Sequence, residues 1–498
     1  MYGERRGMSI PRPKKYGESF SEWFSWIISE AEIYDYGRYP VKGMGVWLSY
    51  GFQIRRRVIE LIRLLLDESG HEEILLPLLI PEILFAKESE HVRGFEGEVF
   101  WVTKAGLEEL DMKLALRPTS ETAISYMESL WIKSYKQLPK KYYQIVSIFR
   151  YETKMTKPMV RVREVTTFKE AHTVHEGFES SEEQIKEAVN IYGKFFDSLG
   201  IPYIVSRRPQ WDKFAGAIYT IAFDTIFPDG KAVQIGTVHN LGQTFTKVFD
   251  VKIQKKDESI DYAWQTSYGI SERAIASIIA FHSDEKGLIL PPIIAPYQVV
   301  VIPIYQENTK DVVIRYSSDI AKILHENGIR VHLDLRDDMR PAEKFYEWEL
   351  KGAPLRIEIG MRERSNNVVT VFRRDILKKE TIPLQQLVER IRIMLSEIMQ
   401  NLIDRAWKEF TSSIKLSQNI DEAVNIVREL GGFVLMPWCG DERCIYNRLQ
   451  GFEGIDVIGE VMDVSLKRLN IDLDLLREAK CSFCGKNAKA VVALAKKY

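Results

Sequence analysis

The run FRYETKMTKPMVRVREVTTFKEAHTVH, Phe149 to His175, sets Arg150 and Glu152 at the end of one alternating segment. After a short polar loop it sets Arg161, Arg163 and Glu164 at the head of another. The flanking segments Tyr143–Tyr151 and Val160–Phe168 mix β-branched and aromatic residues with polar ones, which predicts two antiparallel strands joined through Thr153–Pro158. Arginines on such a hydrogen-bonded platform can be aimed at an anion with little loss of entropy. Their planar guanidinium suits a phosphate or carboxylate, since it holds two oxygens at once. A charged hairpin facing solvent is the competing reading of these residues alone.

Outward from this hairpin, 498 residues are enough for roughly three domains at about 150 residues each. With 45% hydrophobic and 11% aromatic residues the chain can bury substantial cores, which argues against wholesale disorder. The formal charge is −1, so any nucleic acid must be held by local basic patches rather than a global field. No apolar run approaches the roughly 18 residues of a membrane span. The start, MYGERRGMSIPRPKK, has no hydrophobic core and reads as a loosely docked basic arm rather than a secretory signal. All four cysteines fall near the end of the sequence, which is no disulfide framework for a chain this long. These features lead to the expectation of a cytoplasmic protein.

Helices are expected at Ser19–Ala31, Gly45–Glu68, Ser181–Leu199 and Ser271–Ala280, where apolar residues recur at helical spacing. EEILLPLLIP, interrupted by Pro77 and Pro81, is expected as an edge or interface strand. Further strands are expected at Ile218–Ile226, Ala232–Ile235 and Thr244–Ile253. LPPIIAP, Leu290–Pro296, marks a boundary. Beyond it strands and helices alternate, as in a small α/β domain, and a long helix near Pro383–Phe410 leads into the cysteine-bearing region.

Four blocks together resemble the prolyl-tRNA synthetases of archaeal and eukaryotic type, a family of class II aminoacyl-tRNA synthetases. Gly45–Pro81 with EHVRGF (Glu90–Phe95) is similar to motif 1, with Pro77 at a dimer interface. LRPTSET (Leu116–Thr122) precedes the hairpin, which resembles motif 2. KFAGA (Lys213–Ala217) and QIGTVHNLGQ (Gln234–Gln243) follow, and YGISERAIASIIAFH (Tyr268–His282) is similar to motif 3. The resemblance implies an α+β fold. Its parts would be an antiparallel-sheet catalytic domain over 1–290, an α/β anticodon-binding domain over 297–400, and a small zinc-binding extension over 405–498. It implies ATP-dependent attachment of L-proline to tRNA(Pro) by a cytoplasmic homodimer, with Mg2+ accompanying ATP.

Site roles follow from the same resemblance. Arg150 would bridge the α-phosphate and the amino-acid carboxylate. Glu152 and Arg161 would lie around the adenine, Gln234, Thr237 and Ser271 would contact nucleotide, and Arg273 would hold the γ-phosphate. Thr119 and Glu121, two apart on a strand-like segment, would both accept from proline's ammonium, with Phe168 and His239 walling the ring. TSET also reads as a helix start with an acid in its first turn. Phe168 stands where relatives have tryptophan. Residues 176–209 leave no room for the large editing insertion some relatives carry.

Cys439-x4-Cys444 and Cys481-x2-Cys484 fit a structural, tetrahedral Zn2+, buried free thiols being the alternative. Arg336, Glu349, Lys351 and Arg356 would read the anticodon, or else form helix-surface ion pairs. KMTKP (Lys154–Pro158) looks like the lysine loop of class I synthetases, but no HIGH-type motif accompanies it, so it reads as a turn. A threonyl or glycyl relative, or a non-catalytic tRNA-binding protein, are the rival readings. KFAGA, TSET and the joint presence of Arg150 and Arg273 favour proline and catalysis.

Overall fold

The architecture comes from a computed structural model that describes residues 13–16, 19–87, 97–449, 452–469 and 478–498. The block Glu90–Phe95 and most of the basic arm lie outside the described residues. The chain divides into two units, 1–36 with 46–54 and 279–402, and 37–45 with 55–278 and 403–498.

The second unit is built on one eleven-stranded sheet. Its strands are β1 (Glu72–Glu73), β2 (Lys140–Phe149), β3 (Glu164–His175), β4 (Ile204–Arg207), β5 (Tyr219–Ile226), β6 (Ala232–Gly242) and β7 (Trp264–Ser271). Four more come from the cysteine-bearing region: β8 (Ile414–Leu416), β9 (Phe433–Trp438), β10 (Asp456–Val461) and β11 (Ala490–Ala495). The spatial order is β8-β9-β11-β10-β4-β5-β6-β7-β3-β2-β1. The expected extension over 405–498 thus continues the central sheet, through the pairs Glu460↔Arg207 and Val461↔Ser206.

The hairpin is present, with Val146 opposite Phe168 and Phe149 opposite Glu164. Its strands stop earlier than the alternation predicts, and residues 150–163 form a loop. Arg150 N–H still reaches Arg163 O at 2.9 Å, but Arg163 N–H turns away to Gly43 O at 2.8 Å, so the ladder ends there. Helix α1 (Glu121–Trp131) corrects the strand-like reading of Thr119–Glu121: the chain enters a helix at Glu121, where an acid suits the positive end of the dipole. Helix α2 (Phe178–Ser198) buries Ile185, Tyr192, Phe195 and Phe196.

Thr244–Ile253 is also corrected. It forms helix α3 (Thr244–Phe249), turns at Asp250 with φ +59°, and ends in a short strand, Lys252–Gln254. Phe245 and Phe249 are both buried; their spacing of four satisfies a strand period and a helix turn alike, and burial settled it as helix. Helix α4 (Arg273–Phe281) follows β7 directly. The helix expected from Gly45 begins at Ser49, after a strand at Gly45–Trp47.

EEILLPLLIP is split between two sheets rather than forming one strand. Glu72–Glu73 joins the large sheet, while Leu79–Pro81 pairs with Leu114–Leu116 in a three-stranded sheet. Leu75 is 79% exposed and Leu78 41% exposed.

In the first unit a five-stranded sheet runs Val331–Leu333, Val299–Pro303, Leu355–Ile359, Val368–Arg373 and Lys378–Pro383. The first three strands are parallel and the last two antiparallel. Val299, Val301, Leu355 and Ile357 meet Val313, Ile320 and Leu324 from helix Lys310–Glu326 in one core. The predicted alternation of strand and helix is observed there.

Candidate active site

Strand register places the predicted residues in rows across one face of the large sheet. Phe168, Glu170 and His172 share a face of β3, because successive side chains alternate. Phe168 lies opposite Ser271, Glu170 opposite Gly269 and His172 opposite Ser267. On the far side of β7, Gly269 pairs with Thr237 and Ser267 with His239. A Cβ at Gly269 would come within 3.1 Å of the Phe168 ring, so glycine there leaves the ring its place.

Over these rows lies a cavity of about 250 Å3. Thr119, Glu121, Arg150, Glu152, Arg161, Phe168, Gln234, Thr237, His239, Ser271 and Arg273 all line it. Every residue expected to bind proline or ATP is therefore brought together. Glu170, Asp212, Lys213, Phe214, Tyr268 and Glu272 line it as well; Lys213, Phe214, Tyr268 and Glu272 belong to the blocks KFAGA and YGISERAIASIIAFH, but none of the six carried an expected binding role.

Three guanidiniums converge on this space. Arg150 Nε donates to Pro118 O at 3.2 Å and its head lies 6.0 Å from the Phe168 ring. Arg273 reaches from the start of α4 to Val160 O at 2.8 Å and Gln234 O at 3.1 Å. Burial, then repulsion from Arg150 and Arg161, brings Arg273 down to about 10. Burial also lowers Arg150, against the pull of Glu98, Glu121, Glu170 and Glu152. Buried cations that repel one another make a site whose free energy falls when an anion enters.

Arg161 has a partner the sequence did not disclose. It donates to a main-chain oxygen of Tyr498 and lies 4.0 Å from Glu152. Tyr498 is itself fixed: its hydroxyl donates to Asp229 at 2.7 Å, its N–H to Ala232 O at 3.1 Å, and Lys157 lies 4.3 Å from its ring. Gln234 is oriented by Arg208, which is buried and bonded to Asp224 at 2.7 Å and to Gln234 Oε1 at 2.9 Å.

The Thr119–Glu121 turn is also held by buried charge. Thr119 Oγ1 donates to Glu121 and lies 3.3 Å from Glu170 Oε2. Glu170 accepts from Ser120 Oγ at 2.5 Å and Gln144 Nε2 at 2.7 Å. His239 Nδ1 meets Thr220 Oγ1 at 2.8 Å, and its ring lies 4.6 Å from Phe214. Burial and the charge of His172 hold His239 near 3, so it is neutral at physiological pH.

The four cysteine sulfurs lie within 4.8 Å of one another, with neighbouring pairs at 3.5, 3.6 and 3.9 Å. A tetrahedral metal with sulfur at about 2.3 Å requires sulfur–sulfur edges of about 3.8 Å. This cluster can hold a metal ion.

The four residues expected to meet an anticodon lie in the first unit. Arg336 pairs with Asp334 at 2.6 Å and Glu347 at 2.8 Å. Lys351 pairs with Glu347 and Glu32, each at 2.8 Å. Arg356 is buried between the Phe345 and Phe372 rings at 4.1 and 4.2 Å and pairs with Glu349 and Glu358. Ion pairing is thus present at all four, and the Arg336 side chain keeps 38% of its surface exposed.

A family model described as tRNA synthetase class II core domain (G, H, P, S and T) matches residues 100–282, and one described as anticodon binding domain matches 298–393. Proline–tRNA ligase of Aeropyrum pernix is 55% identical over 98% of this chain and 99% of that protein. The same-named protein of Sulfurisphaera tokodaii is 56% identical over 97% of this chain and 99% of its own length. Among solved structures, Giardia lamblia prolyl-tRNA synthetase in complex with prolyl-adenylate superposes with a TM-score of 0.92 at 36% identity, covering 98% of this chain and 100% of that one.

Proposed function

The chain belongs to the proline–tRNA ligase family of class II aminoacyl-tRNA synthetases, and on that premise we propose how its residues divide the work. It joins L-proline to the α-phosphate of ATP, releases pyrophosphate, and passes the prolyl group from prolyl-adenylate to tRNA(Pro), releasing AMP. The observation that carries this reading is the convergence of Arg150, Arg161, Arg273 and the Thr119–Glu121 turn on one cavity. Charging of tRNA(Pro) with labelled proline tests it. Failure to charge, with charging by threonine or glycine instead, would hand the site to a relative.

Thr119 and Glu121 receive proline's secondary ammonium, whose charge offsets the buried carboxylate. Phe168 and His239 wall the ring. Arg150 holds the proline carboxylate against the α-phosphate, so that attack is in line and the developing charge is neutralised. Arg273 holds the γ-phosphate, while Glu152, Arg161, Gln234, Thr237 and Ser271 fix the rest of the nucleotide. Glu152 and Glu272 both line the cavity, where either carboxylate would face a divalent ion that accompanies ATP. Mg2+ would supply neutralisation of the triphosphate there.

The strut from Tyr498 to Arg161 bears on nucleotide binding. Tyr498→Ala removes the ring and the hydroxyl's bond to Asp229. The KM for ATP should rise roughly tenfold, the worth of one or two lost hydrogen bonds, while the KM for proline changes much less. Steady-state exchange kinetics check this.

Structural Zn2+ is assigned to Cys439, Cys444, Cys481 and Cys484; four thiolates leave no open position for catalysis. In the anticodon-binding unit, Arg336 offers the exposed guanidinium for an unstacked base or phosphate, and Glu349, Lys351 and Arg356 brace its platform. The working form is a homodimer. Leu75, Leu78, Leu79 and Ile83 are exposed apolar side chains within one short segment, and such clusters mark association surfaces. Leu75→Asp with Leu78→Asp should therefore give monomers by analytical ultracentrifugation, where the unaltered protein sediments as a dimer. No described helix is long and apolar enough to cross a membrane, and the reading places the enzyme in the cytoplasm.

A further inference from the structure

Among the described residues, three buried polar atoms near the face that carries Glu170 lack a hydrogen-bond partner, Glu128 Oε1, Gln265 Oε1 and Ser267 Oγ, and a fourth, His172 Nε2, has only an ion pair to Glu170. They belong to one neighbourhood. His172 and Ser267 are direct cross-strand partners. Gln265 lies two residues along β7 from Ser267, and its amide donates to Glu128 on α1. Buried polar groups are rarely left unsatisfied, and a cluster of them marks a place where charge is held for a purpose.

His172 Nε2 lies 3.5 Å from Glu170 Oε2, with both side chains almost wholly buried. That carboxylate also takes Ser120 N–H at 3.2 Å, Ser120 Oγ at 2.5 Å and Thr119 Oγ1 at 3.3 Å. Thr119 in turn donates to Glu121. Whatever holds Glu170 therefore sets the conformation of the whole turn.

We propose that His172 is a positioning residue for amino-acid binding, anchoring Glu170 and through it the Thr119–Glu121 turn that receives the substrate's ammonium. The inference rests on the reading of this cavity as the proline site. Two adjacent carboxylates and a third on α1 would otherwise repel one another in a space of low dielectric. Beside Arg150, His172 supplies an internal cation that holds Glu170 ionised before substrate arrives.

The groups facing His172 give the sign of its pH response. Burial works against its charge, but Glu170 on β3 and Glu121 and Glu128 on α1 outweigh burial and raise its pKa above the ordinary value. Burial works against Glu170 too, and His172, Ser120 and Gln144 hold it down at about 2. His239 on β6 stays neutral and Tyr142, opposite on β2, stays protonated. Glu128 is pushed by burial to about 7. The His172–Glu170 pair is thus favoured below the raised value of His172 and is lost as pH rises through it.

The test is proline-dependent ATP–pyrophosphate exchange across the range in which histidine titrates, for the unaltered enzyme, His172→Gln, Glu170→Gln and Glu128→Gln. The unaltered enzyme should show a proline KM that climbs on the alkaline side. His172→Gln should raise that KM on the order of tenfold on the acid side of the climb, move kcat and the KM for ATP far less, and lose the alkaline climb. Glu170→Gln should raise the proline KM likewise. Glu128→Gln should keep the climb, which separates His172 from the other group titrating nearby. An unchanged proline KM and pH profile in His172→Gln overturns the inference. If that variant does not fold, a flat profile in the unaltered enzyme overturns it instead. An unaltered enzyme that activates another amino acid but not proline removes the functional reading, and this inference with it.

Discussion

Arg150→Ala should lower proline-dependent ATP–pyrophosphate exchange by at least about a thousandfold. Arg150 leaves β2 just where the hairpin ladder ends, which frees its side chain to reach into the cavity. It is surrounded by the carboxylates Glu98, Glu121, Glu170 and Glu152, so in the resting protein its charge is balanced rather than wasted. In the reaction it would meet two anions at once, the proline carboxylate and the α-phosphate, which repel each other until a shared cation joins them. Removing it takes away both the approach and the neutralisation. The hairpin itself should survive, because its pairing depends on Lys140–Phe149 and Glu164–His175, not on this side chain. Circular dichroism like that of the unaltered protein, with exchange lost, is the expected pair of results. Exchange within tenfold of the unaltered enzyme would contradict the role given to Arg150.

Metal removal carries the second large effect. Binding of a structural Zn2+ by four thiolates is worth about 10 kcal/mol or more near neutral pH, comparable to the whole stability of a domain. Cys439 follows β9 and Cys481 precedes β11, so the cluster ties the two strands Phe433–Trp438 and Ala490–Ala495 together at one end. Those strands continue through β10 into β4, the strand that leads to Arg208. Arg208 donates to Ile458 O and orients Gln234 in the cavity. Cys481→Ser, or stripping with a strong chelator, should therefore loosen β9 and β11 first and weaken ATP binding second. Elemental analysis should find one zinc per chain before treatment and none after. Hydrogen exchange should show lost protection across residues 433–438 and 490–495. A purified protein without zinc that keeps full protection there would remove the metal from the account.

What the sequence disclosed depended on how local the determinant was. The rows of the site were legible because β3, β6 and β7 each carry their chemistry in a short ordered block, as in FKEAH, QIGTVHNLGQ and YGISERAIASIIAFH. Glu170 and His172 sit inside one of those blocks, yet nothing local in the sequence marks them as a buried pair. A charged residue in an alternating strand reads as solvent-facing until a sheet register and a helix are known to cover it. Tyr498 was no easier, since its partner Arg161 is far away along the chain. The joining of the cysteine-bearing strands to the central sheet is likewise a long-range pairing that periodicity does not encode. Thr244–Ile253 failed for the opposite reason: its pattern satisfies two periods, and only the burial of Phe245 and Phe249 chose between them. Charged anticodon candidates were ambiguous in the sequence because ion pairing and base reading use the same side chains, as the Arg336–Asp334 and Arg356–Glu349 pairs illustrate.

The central claim is that one cavity joins proline, in preference to every other amino acid, to ATP. Its most direct test is ATP–pyrophosphate exchange on the purified protein with each of the twenty amino acids in turn. Exchange driven by proline, with at most weak exchange from a small competitor that a hydrophobic pocket rejects poorly, is the predicted result. Exchange driven by threonine or glycine, or by no amino acid in a folded protein that still binds tRNA, would contradict it.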